Sequence, residues 1–241
     1  MKKALFWDFD GTLTHTGPLW SHAVHEAAER ECGATLPFEA VRAEMRIGFS
    51  WHTPGDDHTA LIGGAWWEAM ARRFSEIYRL LGLEEGQARR ASLQVRGLIL
   101  DPGRYTLYED ACDTLQACMD LGFENHLFSN NYPEMEEMLA ELGLSPYFQS
   151  CTVSACVGFD KPHPVIFAYA KELAGEPEHC VMIGDNPQAD IAGGKQAGMR
   201  TILVHRDAPD CDADFRVATL REILPFLAPK EALSGAALTN N

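Results

Sequence analysis

The feature that most constrains this chain is an apolar run near its start that ends abruptly in acid. Ala4, Leu5, Phe6 and Trp7 lead directly into Asp8-Phe9-Asp10-Gly11-Thr12. Unbroken apolar residues closed by a glycine turn indicate a strand buried on both faces, because a half-exposed strand alternates apolar with polar. Such a strand needs a parallel sheet with helices on both sides. It also delivers Asp8 and Asp10 to its carboxyl end, where an open parallel sheet forms its ligand crevice.

The remaining pattern agrees. Beyond Asp101-Pro102-Gly103 the chain alternates, with strands expected at 126–128, 150–154, 180–183 and 201–204. Helices are expected at 109–121, 134–142, 162–173, 188–197 and 220–227. Alternation of this kind predicts βαβ units and an α/β, Rossmann-like parallel sheet core. Residues 15–101 interrupt it with helical periodicity alone. Leu19, Trp20, Ala23, Val24, Ala27 and Ala28 stripe a helix over 18–33 that Gly33 closes, and shorter or longer helices follow at 37–46, 67–81 and 84–98. An irregular segment rich in Gly, His, Asp and Thr spans 48–64. The expected organisation is a catalytic core from 1–14 and 102–230, an inserted all-helical cap over 15–101, and a frayed tail over 231–241.

Composition narrows the function classes. The chain has 241 residues and a formal net charge of -15, which disfavours nucleic acid and anionic membrane as partners. An anionic substrate then requires a local cation at its site. No apolar run nears the ~20 residues that span a bilayer, and Asp8 stops the first one too early for a signal peptide. The seven cysteines include no Cys-x-x-Cys pair, so free thiols and a cytoplasmic location are expected.

Polar clusters sit at the ends of the expected strands: Asp8 with Asp10, Ser129 with Asn130, and Asp185. Lys161 lies between a strand and a helix. Carboxylates of this kind can hold a hard divalent cation. A lysine and a cation together can offset the charge of a transferring phosphoryl group. One carboxylate can attack phosphorus while a second, two residues on, moves protons.

These residues resemble the haloacid dehalogenase superfamily. Its motifs are matched in order by Asp8-Phe9-Asp10-Gly11-Thr12, by Phe128-Ser129-Asn130, by Lys161-Pro162, and by Gly184-Asp185 with Asp190 downstream. The resemblance implies a phosphatase with a helical cap between the first and second motifs. It implies Asp8 as nucleophile and metal ligand, and Asp10 as general acid/base with its carbonyl on the metal. Asp185 would complete the ligands for Mg2+, and Asp190 would support that loop. Ser129, the Asn130 amide and Lys161 would hold phosphate, together with Gly11 and Thr12 of the first motif. Dehalogenases and phosphonatases of the superfamily lack the aspartate at the position of Asp10, so Asp10 favours phosphate esters. A sugar-phosphate mutase, or an inactive phosphate-binding regulatory protein, remains an alternative.

Other residues carry weaker expectations. His15, or the segment Trp51-His52, is expected to touch the leaving group of a small phosphorylated metabolite, because long irregular loops are often functional. Trp20, Trp66 and Trp67 are expected as cap core. His22 and His25 are expected on a solvated helix face. No Gly-x-Gly-x-x-Gly or Walker-type loop points to a nucleotide cofactor. Neither the substrate nor the oligomeric state is legible in the residues alone.

Overall fold

The structure, a computed structural model, describes residues 2–227; the tail expected at 231–241 lies outside them. Six strands form one parallel sheet: β1 (Lys3–Trp7), β2 (Glu124–Ser129), β3 (Phe148–Val153), β4 (His179–Gly184), β5 (Arg200–Val204) and β6 (Phe215–Val217). Their order is β3-β2-β1-β4-β5-β6. The chain winds outward from β1 to β3, then returns to the other side of β1 at β4. The crevice beyond β1 and β4 is therefore the topological switch point, where ligands bind in sheets of this class.

β1 is buried on both faces, as its composition requires. Leu5 and Trp7 join one core, and Ala4 and Phe6 join the other with Phe128, Phe167 and Met182. The Trp7 indole satisfies its buried N–H by donating to Asn125 Oδ1 at 2.9 Å.

The helices before β2 are α1 (Leu19–Cys32), α2 (Phe38–Glu44), α3 (Gly64–Leu80) and α4 (Glu85–Ile99). α1 and α3 both pack against α4. After these come α5 (Ala111–Asp120), α6 (Met135–Glu141), α7 (Ser154–Val157), α8 (Pro164–Leu173), α9 (Gly193–Gln196) and α10 (Leu224–Leu227).

Several boundaries differ from expectation. The strand expected over 150–154 stops at Val153, and Ser154 opens α7. The helix expected from Pro162 begins at Pro164, because Lys161 and Pro162 stay in a loop whose peptide bond is cis. The helix expected over 188–197 divides into a π-helical turn, Pro187–Ala192, and α9. The last helix opens as a 3-10 turn, Leu220–Ile223, before α10. β6 has three residues and no extended apolar pattern, so its pairing with β5 left no signal.

Two ties hold the α1–α4 block over the sheet. In the irregular segment, the His58 amide donates to Gly158 O at 2.9 Å, and the Gly63 amide donates to Ala155 O at 3.0 Å. Gly158 has φ +82, and a Cβ there would lie 2.5 Å from Thr59 Cα, so only glycine allows this approach. On α3 and α4, the Trp67 indole N–H and the Arg96 guanidinium both donate to the Glu134 carboxylate, at 2.8 and 2.5 Å.

Candidate active site

Asp8 directly follows β1. Its amide donates to Ile183 O at 2.9 Å, extending the ladder to β4 by one residue. Its carboxylate is held on both oxygens. Oδ1 accepts from Ser129 Oγ at 3.1 Å and Lys161 Nζ at 2.9 Å, and Oδ2 accepts from Thr12 Oγ1 at 3.3 Å.

Lys161 is 2% exposed, and a buried ammonium needs partners for all three protons. It donates to Asp8, to Asp190 Oδ1 at 2.6 Å and to Phe128 O at 2.8 Å. Burial disfavours its charge, but Asp190 and Asp8 outweigh that and hold its pKa above the usual lysine range. The Asn130 side chain fixes the loop: Oδ1 accepts from the Lys161 amide at 2.7 Å, and Nδ2 donates to Lys161 O at 3.0 Å.

Asp10 faces Asp8's neighbourhood from the open cleft and keeps contact with solvent through its mouth. Its Oδ2 accepts from Asn131 Nδ2 at 2.9 Å. The protein packed around the carboxyl, and then the charge of Asp8, push its pKa up to about 7. A carboxyl poised there can both give and take a proton near neutrality. Gly11 turns at φ +84, and a Cβ on it would lie 2.8 Å from the Asp185 carboxyl. The loop from β1 thus passes against the loop from β4 only because residue 11 has no side chain.

Asp8, Asp185 and Asp190 each offer a carboxylate oxygen, and these atoms lie within 4.8 Å of one another. An all-oxygen set of this kind suits a hard divalent cation. Burial, then Asp8, push the Asp185 carboxyl up to about 6, opposed by Arg206 and Lys161. That excess of negative charge is what a cation would relieve. Both oxygens of Asp190 are already engaged, by Lys161 and by the Asn186 amide at 3.0 Å. Asp8 and Asp185 line the cleft and Asp190 does not, so the first two would face an ion entering from it while Asp190 braces Lys161.

The expected residues divide into two groups. Asp8, Asp10, Ser129, Lys161, Asp185 and Asp190 are brought together. Thr12 is fully buried and turns its hydroxyl to Asp8, so its side chain does not form part of the cleft wall. The Asn130 side chain clamps the Lys161 loop, although the residue lines the cleft. His15 is corrected. Its ring packs on Tyr108, with centroids 4.9 Å apart, in a separate surface hollow shared with Arg221. Trp51 lines the cleft, whereas the exposed His52 turns Nδ1 back to the Phe49 amide at 3.4 Å. Trp20 and Trp66, expected only as cap core, also line the cleft; Trp67 stays with Glu134.

Three residues escaped the sequence reading. Asn131 extends the polar run at the end of β2, and that run is the one signal that could have found it. Arg206 pairs with Asp185, Nη2 to Oδ2, at 3.1 Å. His205, at φ +58, sets Nε2 3.1 Å from Thr12 O and Nδ1 3.0 Å from Ala218 O, joining the loop after β5 to the loop after β1.

Among the described residues, no helix is long and apolar enough to cross a membrane. A protein-family model described as haloacid dehalogenase-like hydrolase matches residues 2–198. The chain is 32% identical to a phosphoserine phosphatase of Thermus thermophilus, over 94% of this chain and 98% of the relative. It is 30% identical to the human haloacid dehalogenase-like hydrolase domain-containing protein 3, over 84% of this chain and 81% of that protein. A solved structure of the HAD-hydrolase YfnB from Bacillus subtilis bound to magnesium superposes with a TM-score of 0.73 at 21% identity, covering 94% of this chain and 98% of that one.

Proposed function

The chain belongs to the haloacid dehalogenase-like hydrolases, and from that premise we propose that it is a magnesium-dependent phosphatase of a small phosphorylated metabolite, working through an aspartyl-phosphate on Asp8. The observation that carries this reading is the pairing of two unlike carboxyls in one cleft. Asp8 is held by Ser129 and Lys161, and Asp10 beside it faces the open cleft with its carboxyl aimed by Asn131.

The roles follow from the contacts. A carboxylate oxygen of Asp8 forms a bond to phosphorus as the ester P–O bond breaks, leaving its electron pair on the alcohol oxygen. Asp10 gives that oxygen its proton, and the alcohol leaves. Asp10, now ionised, takes a proton from water as the water oxygen attacks phosphorus. The bond from phosphorus to Asp8 breaks and the carboxylate is restored. Lys161 and Ser129 hold Asp8 in one plane throughout. Residues Asp8 and Asp185 and the Asp10 carbonyl would hold Mg2+, which as a Lewis acid screens the charge on the phosphoryl oxygens. On this reading residues 15–101 act as a cap over a core of 1–14 and 102–230, and cap closure excludes water from the first step.

The test is release of phosphate from 4-nitrophenyl phosphate. Turnover should require Mg2+, stop with EDTA, and fall by about 10³-fold or more in Asp8→Asn. Turnover of that variant within about tenfold of the parent protein would overturn the covalent route.

A further inference from the structure

We infer that the alcohol this enzyme releases is uncharged, flat and apolar, received by a wall of Trp20, Met45, Trp51 and Trp66. The inference deepens the phosphatase reading and rests on it. The cleft has a volume of about 420 Å³, within the range of small-ligand sites. Its floor carries Asp8, Asp10, Lys161 and Asp185, and the wall opposite is aromatic and aliphatic, closed by Pro54.

The wall is held in place before any ligand arrives. Trp20 lies against Trp51 and Trp66, with centroids 6.0 and 6.1 Å apart. Trp51 stacks on Phe49 at 4.7 Å with the rings 2° from parallel. Rings already braced lose little freedom when a flat group slides against them.

Charge excludes the obvious alternative. A leaving group bearing a carboxylate, as in O-phosphoserine, needs a cation to receive that carboxylate, and the ammonium it also carries does not supply one from the protein. Lys161 is the one lysine or arginine among the described residues lining the cleft, and its three protons already serve Asp8, Asp190 and Phe128. Arg206, nearby, is paired with Asp185. A second negative charge on the substrate would face three aspartates with no free donor of opposite sign. Two neutral side chains that line the cleft, Ser21 and Gln188, suit at most a hydroxyl or an amide.

The experiment compares four alkyl esters, so that the acidity of the leaving alcohol contributes little. Benzyl phosphate, ethyl phosphate, O-phosphoserine and phosphocholine are assayed with Mg2+ by released phosphate. The expected kcat/KM for benzyl phosphate exceeds that for ethyl phosphate by about 10- to 100-fold, the return from burying one ring. O-phosphoserine should fall below ethyl phosphate. In Trp51→Ala the benzyl-to-ethyl ratio should drop toward one, and in Trp51→Phe most of it should persist. Trp51 sits in a short, half-buried turn, so a thermal melt suffices to show that both variants are folded. A ratio near one in the parent protein, or a preference for O-phosphoserine or phosphocholine, overturns the inference and leaves the phosphatase reading intact. A ratio unmoved in Trp51→Ala overturns the assignment of the wall. No phosphate from any ester, ethyl phosphate included, defeats the phosphatase reading and this inference with it.

Discussion

Asn131 donates its side-chain amide to Asp10 Oδ2 at 2.9 Å, while its own amide oxygen accepts from the Tyr132 backbone at 3.0 Å. The second bond orients the first, so Asp10 is aimed by a side chain that is itself fixed. The bond also favours the ionised carboxyl, opposing the desolvation by surrounding protein and the Asp8 charge that raise its pKa. Removing the donor therefore raises that pKa further. In Asn131→Ala, Asp10 should stay protonated to higher pH, and the alkaline fall in kcat/KM should move upward. Looser aim should also lower kcat, by about tenfold. The two pH profiles, both taken at saturating Mg2+, decide this; a limb displaced to lower pH contradicts the assignment.

Lys161 sits between two buried carboxylates, Asp190 and Asp8. Lys161→Met leaves both without their cation. Breaking a buried pair from one side costs about 3–5 kcal/mol. Urea denaturation should show a loss of that order. The double variant with Asp190→Asn should recover part of the stability and none of the turnover. Equal stability of parent and Lys161→Met would mean that the lysine is not an anchor of the loop.

Gly158 meets the irregular segment at Thr59. Gly158→Ala forces a left-handed backbone, about 1–2 kcal/mol of strain, and sets a methyl 2.5 Å from Thr59 Cα. Gly143 has φ +72 with nothing within 4 Å of a would-be Cβ, so Gly143→Ala carries the strain alone. Only Gly158→Ala should speed proteolysis within 48–64 and raise KM. Matching digestion patterns for the two variants would count against docking of this segment through Gly158.

His126 is 2% exposed, with Nδ1 2.8 Å from Ser150 Oγ. Burial pushes its pKa down to about 4, against a pull upward from Glu124. The unfolded chain, with a histidine pKa of about 6.5, binds the proton first as pH falls. Stability from this group is therefore complete above about pH 6.5 and lost on the way down to about pH 4, a change on the order of 3 kcal/mol. Subtracting the pH dependence of His126→Gln from that of the parent protein isolates it. A difference that is flat from pH 7 to pH 4 would refute the assignment.

Much of the site was legible in the chain because parallel topology does part of the folding argument. Asp8 and Asp185 each follow an apolar strand and Ser129 ends another strand, and strand ends in one parallel sheet converge without any knowledge of side-chain angles. Lys161 and Asp190 were placed by motif order. His15 lies away from the cleft for a physical reason. It lies seven residues from Asp8, yet the turn at Gly11 and the antiparallel bridge of Thr14 with Leu107 carry the chain away to Tyr108. Nearness in sequence to a nucleophile does not survive a reversal of direction.

The sequence by itself determined the fold class, the places of the buried strands along the chain and the convergence of the acidic loops. These depend on periodicity and on apolar runs, which are local properties of the chain. Only the tertiary structure decided which side chains serve which neighbours. It turned Asn130 back onto Lys161, brought Arg206 from beyond β5 to Asp185, and set Trp20 and Trp66 facing the cleft as well as their own core. A tryptophan at helical spacing looks the same whether its ring meets a core or a cleft. The difference lies in what packs opposite it, and that is supplied by residues of other elements, such as Asp10, Lys161 and Asp185, whose nearness only the folded chain creates.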